Sequence, residues 1–422
     1  LKMLKILIFS FLNIRSFELS NGLNVFLIQN KISPIATIVL AFKAGGEYQV
    51  PEDAGIFHLV EHMFFKGNKR YENEEEFIER AREIGILYNG LTSHNYVTYY
   101  YTLPKDKLKD GLNFVYDAII GIIFDDKELE NERKVVLDEY NRDYSDPISS
   151  FYLDISRLFY EEYFYKDDLL GPKWNILRAN KSILLNEFKK FYTPWNSYLI
   201  ISGDIDFDEA EKLVKKIFGK WKGKKFYEKV EKLPPLRTKK YIHINSKEVK
   251  NARIFIIFQG PGTLYEREDT YVFDLISSIF SLAHSPFQRE FVESGIVNSA
   301  SFNYYTKPST GEIYIEFEME KENIYKAKEK FYEFLNTCDD EKWFPENLIE
   351  EAKIVIENKF ELETENPQEF ALNLAFWLCT ADYEYFKNYI EKIKNVEKEN
   401  IIDLMRKYIK DKNFVFGILE PE

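Results

Sequence analysis

The sequence predicts an α+β chain made of two related halves, and three observations carry that expectation. Its 422 residues exceed what one hydrophobic core usually supports. Short β-branched runs alternate with stretches of helical periodicity. The second half also repeats the first: at an offset of 216, residues 36–65 align with 252–281, and Phe42, Gly46, Asp53 and Phe57 fall on Phe258, Gly262, Asp269 and Phe273. Near offset 219, Glu132, Lys134 and Val136 fall on Glu351, Lys353 and Val355, and Pro147 answers to Pro367. Order and spacing preserved together are what one duplication leaves behind.

Taken in order, residues 17–25 read as strand, turn, strand, because Asn21-Gly22 readily takes the positive φ of a tight hairpin. Residues 36–43 (ATIVLAFK) form an apolar strand closed by Ala44-Gly45-Gly46. A helix over 54–65 follows, with Asp53 as N-cap and Gly67-Asn68 as its stop. Asn73 and the acids Glu74, Glu75 and Glu76 open a second helix that Gly85 ends. Asn89-Gly90-Leu91-Thr92 leads into the run 96–102 (YVTYYYT), which reads first as an ordinary sheet strand and, as the lesser alternative, as an edge that could receive an extended peptide.

Residues 105–122 have helical period, and Asp125-Asp126 opens a helix carrying Glu132 and Glu139, two turns apart on one face. Residues 194–204 form a strand, followed by an amphipathic helix to Phe218. From 219 to 240, nine Lys or Arg stand against two acids, Pro234-Pro235 interrupts, and no period persists. This reads as a basic linker between domains at 1–218 and 241–422.

A formal charge of −13 disfavours nucleic acid or an acidic membrane surface as partner and suits basic or unstructured peptides. Cys338 and Cys379 are too few for a disulfide framework and read as buried thiols. The apolar run at 3–12 competes between a signal-peptide remnant, with a periplasmic or secreted location, and a first strand in a cytoplasmic protein; it is too short to span a bilayer.

The chemistry concentrates in Phe57-His58-Leu59-Val60-Glu61-His62-Met63. On a helix, residues i and i+4 lie one above the other, so His58 and His62 can aim ring nitrogens at one ion. Glu61 sits in the same turn, placed to take a proton from water instead of filling the coordination shell. The order H-x-x-E-H inverts the familiar H-E-x-x-H zinc motif. Paired His on a helix are commonly plain surface or core residues, but this chain has only five His, which makes a chance match rare. The repeat supplies an internal control. In the second half His58, Glu61 and His62 face Asp274, Ser277 and Ser278, while Glu139 faces Asn358, so hydrophobic and turn positions persist and each potential ligand is lost.

Beyond these residues, H-L-V-E-H-M-F-F-K-G, Asn89-Gly90-x-Thr92-Ser93, E-R-K-V-V-L-D-E and P-W-N…S-G-D together resemble the pitrilysin family of inverted-motif zinc peptidases over most of the first half. The resemblance implies two homologous α+β domains, each a mainly antiparallel sheet with packed helices. It implies that Zn2+ is held by His58, His62 and Glu139, that Glu61 is the general base, and that Glu132 buttresses the site by hydrogen bonding. It also implies that residues 89–92, Asn89, Gly90, Leu91 and Thr92, lie on an edge strand that binds the backbone of a peptide substrate.

Dimers are expected by the same resemblance, homodimers or, given one departure, heterodimers. The family's second half carries an Arg and, seven residues on, a Tyr that polarise the substrate carbonyl. This chain has Phe291 and Asn298 there, and Arg289, two residues early, points about 200° away on a helix. A homologous partner is expected to supply the pair. The competing reading is a noncatalytic scaffold subunit, against which the intact ligand set speaks.

Overall fold

The computed structural model describes residues 13–161, 166, 169–225 and 230–422. The run at 3–12 and residues 226–229 of the expected linker lie outside the described residues. One sheet contains β1 (Asn13–Glu18), β2 (Asn24–Gln29), β3 (Ile35–Phe42), β4 (Leu87–Thr92), β5 (Val97–Pro104) and β6 (Ser197–Gly203), in the order β1-β2-β6-β3-β5-β4. The other contains β7 (Lys240–Ser246), β8 (Ala252–Gly260), β9 (Ser299–Tyr305), β10 (Gly311–Met319) and β11 (Val415–Pro421), in the order β7-β11-β8-β10-β9.

Without β1, the two orders map one to one. In each sheet the first pair is parallel, β2 with β6 and β7 with β11, and every other pairing is antiparallel. The repeat seen in the sequence is therefore a repeat of topology.

The first half carries helices α1 (Ile56–Phe64), α2 (Glu74–Ile84), α3 (Leu108–Gly121), α4 (Asp126–Ser145), α5 (Pro147–Tyr160), α6 (Lys173–Arg178), α7 (Lys181–Phe191) and α8 (Phe207–Phe218). The second carries α9 (Arg267–Ser281), α10 (Pro286–Gln288), α11 (Ile324–Thr337), α12 (Glu346–Glu365), α13 (Pro367–Thr380), α14 (Tyr383–Lys394) and α15 (Lys398–Tyr408). The pairs α4/α12 and α5/α13 match in length, 20 and 14 residues.

The compact units interleave the halves. Among the described residues, one unit draws on 13–140, 169–225 and 360–383, and the other on 141–161, 166, 230–359 and 384–422. Each sheet is thus covered by a helix from the opposite half: α13 packs on β3 and β6, and α5 packs on β7 and β11. Polar ties fix α13 in place, with Thr102 Oγ1 donating to Gln368 Oε1 and Asn95 Nδ2 to Thr380 Oγ1, both at 2.8 Å. Phe151 and Ile155 of α5 are buried against Val415 and Leu419.

Two local expectations are corrected. Asp53 does not cap α1: residues 51–53 form a separate 3-10 turn, and the N-cap is Gly55 at φ 93°. A Cβ at Gly55 would lie 2.2 Å from the Leu170 carbonyl oxygen, so a backbone contact decides the helix start, not a side-chain cap. Asp53 instead faces Arg178, 3.4 Å away. The YVTYYYT run is not an edge, because β5 lies between β3 and β4; the edge strand is β4.

Candidate metal centre

Helix α1 buries Ile56, Phe57, Leu59, Val60, Met63 and Phe64. Phe57 meets Phe191 edge-on at 4.9 Å, and Phe64 stacks on Tyr99 at 3.7 Å. With that face packed, the 3.6-residue period leaves His58, Glu61 and His62 on the opposite side, each half-buried. Helix α4 supplies the second wall: it starts at an Asp125 cap, whose carboxylate accepts from the backbone N–H of Lys127 and Glu128, and it buries Leu129, Glu132 and Val136. Glu139, two turns beyond Glu132, faces the histidines.

One ligand atom each from His58, His62 and Glu139 lies within 4.8 Å of the other two, the one such group among the described residues. Glu139 Oε2 is 3.8 Å from His58 Nε2 and 3.5 Å from His62 Nε2. Glu132 Oε2 is 3.0 Å from His62 Nδ1. A carboxylate only accepts, so this bond places the proton on Nδ1 and leaves the Nε2 lone pair facing Glu139. On His58, burial first and neighbouring His62 second bring the pKa down to about 4, so its ring is neutral at physiological pH. Its Nδ1 is buried without a hydrogen-bond partner, which leaves Nε2 as the nitrogen turned to the cluster.

Two imidazole nitrogens and a carboxylate oxygen with a side open to solvent are the donor set of a catalytic zinc site, and the residues fit that ion.

Glu61 is held from β4. Thr92 Oγ1 donates to its Oε2 at 2.5 Å, and a Cβ on Gly90 would come within 2.9 Å of its Cγ, so only glycine lets the edge strand pass this close. Burial is the main cause that raises the Glu61 pKa; Thr92 and His62 oppose it, and Glu139 adds to it. Leu87, Asn89 and Leu91 of β4 are exposed, whereas the Thr92 side chain is buried and committed to Glu61.

One participant had not been singled out in the sequence. Lys66, just beyond the end of α1, places its Nζ 2.8 Å from Glu132 Oε1 and 2.9 Å from Glu74 Oε1. Its sequence signals are its place within the H-L-V-E-H-M-F-F-K-G stretch and four residues after His62, where the next turn of α1 would bring it under the imidazole.

In the second unit, Asp274 accepts a 2.9 Å bond from Tyr389, while Ser277 and Ser278 turn their hydroxyls to backbone carbonyls of Phe273 and Ala352. Phe291 is fully buried, with Phe317 at 4.5 Å and Phe287 at 5.0 Å, and Arg289 and Asn298 are exposed.

Fold and site together define a duplicated α+β protein with, among the described residues, one His-His-Glu constellation suited to a metal, lying in one unit. Residues 24–173 match the family model described as Insulinase (Peptidase family M16), and residues 179–356 match Peptidase M16 inactive domain. The chain belongs to the M16, or pitrilysin, peptidase family.

It is similar to an uncharacterised zinc protease of Rickettsia felis, 29% identical over 281 residues, which are 64% of this chain and 64% of that protein. The zinc protease YmxG of Bacillus subtilis is 28% identical over 264 residues, 62% of each chain. The matched stretches thus span slightly under two thirds of these relatives. The fold is that of a protease from Helicobacter pylori, with TM-score 0.86 and 19% identity, covering 97% of this chain and all of that one. Periplasmic PqqL of Escherichia coli aligns at TM-score 0.82 and 18% identity over 96% of this chain and 47% of its own.

Proposed function

We propose that this chain is the zinc-bearing subunit of an endopeptidase that cleaves extended or unfolded peptides. The observation that carries the reading is the convergence of His58 Nε2, His62 Nε2 and Glu139 Oε2 beside the carboxylate of Glu61. In it, His58, His62 and Glu139 hold Zn2+, and Glu132 keeps His62 in the tautomer that can ligate. When bound, zinc supplies Lewis acidity that polarises a carbonyl and brings the pKa of water toward neutrality. Glu61 takes the proton of the attacking water at its carboxylate and delivers it to the leaving amine. Its raised pKa suits both halves of that transfer.

The free edge of β4 binds the substrate backbone by strand addition, with Asn89, Gly90 and Leu91 beside the reacting centre, which selects extended chains over folded ones. The acidic charge favours basic peptides.

A homologous partner supplies the Arg/Tyr pair, because Phe291 is locked in an aromatic core and cannot reach a substrate. The test is metal analysis of the purified chain and peptide hydrolysis with and without a homologue that bears the pair. Stoichiometric zinc, slow cleavage alone and recovery with the partner are expected, with E61Q inactive in both. Cleavage unchanged in E61Q would revive the scaffold reading.

A further inference from the structure

A buried carboxylate that orients a metal ligand must itself be paired and fixed, and this falls to a residue outside the ligand set. Glu132 is 7% exposed, and taking a carboxylate out of water is costly unless it is paired. Its two oxygens have separate duties: Oε2 lies 3.0 Å from His62 Nδ1, and Oε1 lies 2.8 Å from Lys66 Nζ. Lys66 is in turn held by Glu74 at 2.9 Å.

The backbone puts the lysine there. After α1 ends at Phe64, the Lys66 N–H still bonds the Met63 carbonyl, and Gly67 at φ 124° then turns the chain toward α2, which carries Glu74. A Cβ at Gly67 would press within 2.9 Å of the Glu72 carbonyl oxygen.

The duplication supplies a comparison within the molecule. Extending the offset of 216 by one residue places Leu282 at the position of Lys66, while Glu351 keeps the position of Glu132. There the carboxylate is 43% exposed and pairs with the surface residue His284 at 3.1 Å. Where the carboxylate reaches water and no ligand needs orienting, no lysine stands behind it.

We propose that Lys66 is a positioning residue of the metal centre: by its ion pair with Glu132 Oε1 it holds that carboxylate aimed at His62 Nδ1, and so sets the site's affinity for zinc. Lys66 touches neither metal nor substrate. Glu74 serves only to steady the lysine, and at 45% exposure it contributes little.

The inference rests on the cluster being a zinc site, and the experiment separates the two. The zinc dissociation constant of the full chain is measured by chelator competition for wild type, K66M, K66R, E74Q, E132Q and K66M/E132Q, with the metal-free melting temperature of each as control. Loss of this outer support weakens metal binding about 10- to 100-fold. K66M is expected to show that loss with K66R and E74Q near wild type, and K66M is expected to add nothing in the E132Q background. K66Q, which keeps a donor without the charge, is read the same way should K66M not fold. A wild-type chain that fails to bind zinc overturns the zinc reading and this inference with it. Wild-type binding with an unchanged K66M or K66Q, or a K66M loss equally large in E132Q, overturns this inference alone.

Discussion

Thr92 Oγ1, on the edge strand, donates a 2.5 Å hydrogen bond to Glu61 Oε2, on the metal-site helix. In the proposed mechanism, the strand that receives a peptide backbone and the carboxylate that moves the proton are thereby one mechanical unit. The bond also opposes burial, favouring the charged form of Glu61. T92V should raise the Glu61 pKa further, so the acidic limb of the kcat/KM profile moves to higher pH. Activity near neutral pH should fall about tenfold, consistent with losing a hydrogen bond to a charged group. T92S should keep the wild-type profile; a T92V profile superimposable on wild type would refute the coupling.

Gly90 tests the same contact from the backbone side. G90A places a Cβ 2.9 Å from Glu61 Cγ, and the carboxylate must move. Misplacing a proton-transfer group by about 1 Å costs on the order of 100-fold in rate. Zinc affinity should stay within about threefold of wild type, because the three atoms a Cβ at Gly90 would meet first all belong to Glu61 and not to a ligand. Equal losses of rate and zinc would show instead that the whole site had shifted.

Metal removal should separate catalysis from folding. The strand ladders and the packed face of α1 involve no ligand atom, so treatment with 1,10-phenanthroline should abolish hydrolysis while leaving the far-ultraviolet circular dichroism unchanged. Added zinc should restore activity. Unfolding on chelation would mean that the ion is needed for the fold as well.

Asp274, at the position of His58 in the repeat, gives a prediction for stability. Although the residue is partly exposed, its carboxylate is enclosed, and burial, only partly offset by the Tyr389 bond and by Lys359, raises its pKa to about 7. The ordinary value is near 4, so the folded state holds an extra proton between about pH 4 and 7. Stability from this group is present at low pH and is lost as pH rises toward 7. D274N, which can still accept from Tyr389, should raise the melting temperature at pH 8 by about 3 °C and flatten its dependence over that range. A fall in melting temperature at pH 8 would contradict it.

Sequence alone determined what depends on local spacing. H-x-x-E-H fixed two ligands and a base on one helical face, the 216-residue offset fixed the duplication and the loss of ligands in its second copy, and Asn73 and Gly85 fixed the ends of α2. Each follows from a backbone period or a φ preference that acts within a few residues.

Tertiary structure decided what depends on distant segments. That α5 and α13 each cover the sheet of the opposite half has no local signal, since both would be amphipathic or apolar helices on either sheet. Asp53 looked like a cap until the carbonyl of Leu170, far along the chain, required Gly55 at the helix start. Only strand order shows that β4, and not β5, is the edge. The line from Glu74 through Lys66 and Glu132 to His62 joins residues up to 70 positions apart, and the energy of a buried charge depends on what surrounds it in space.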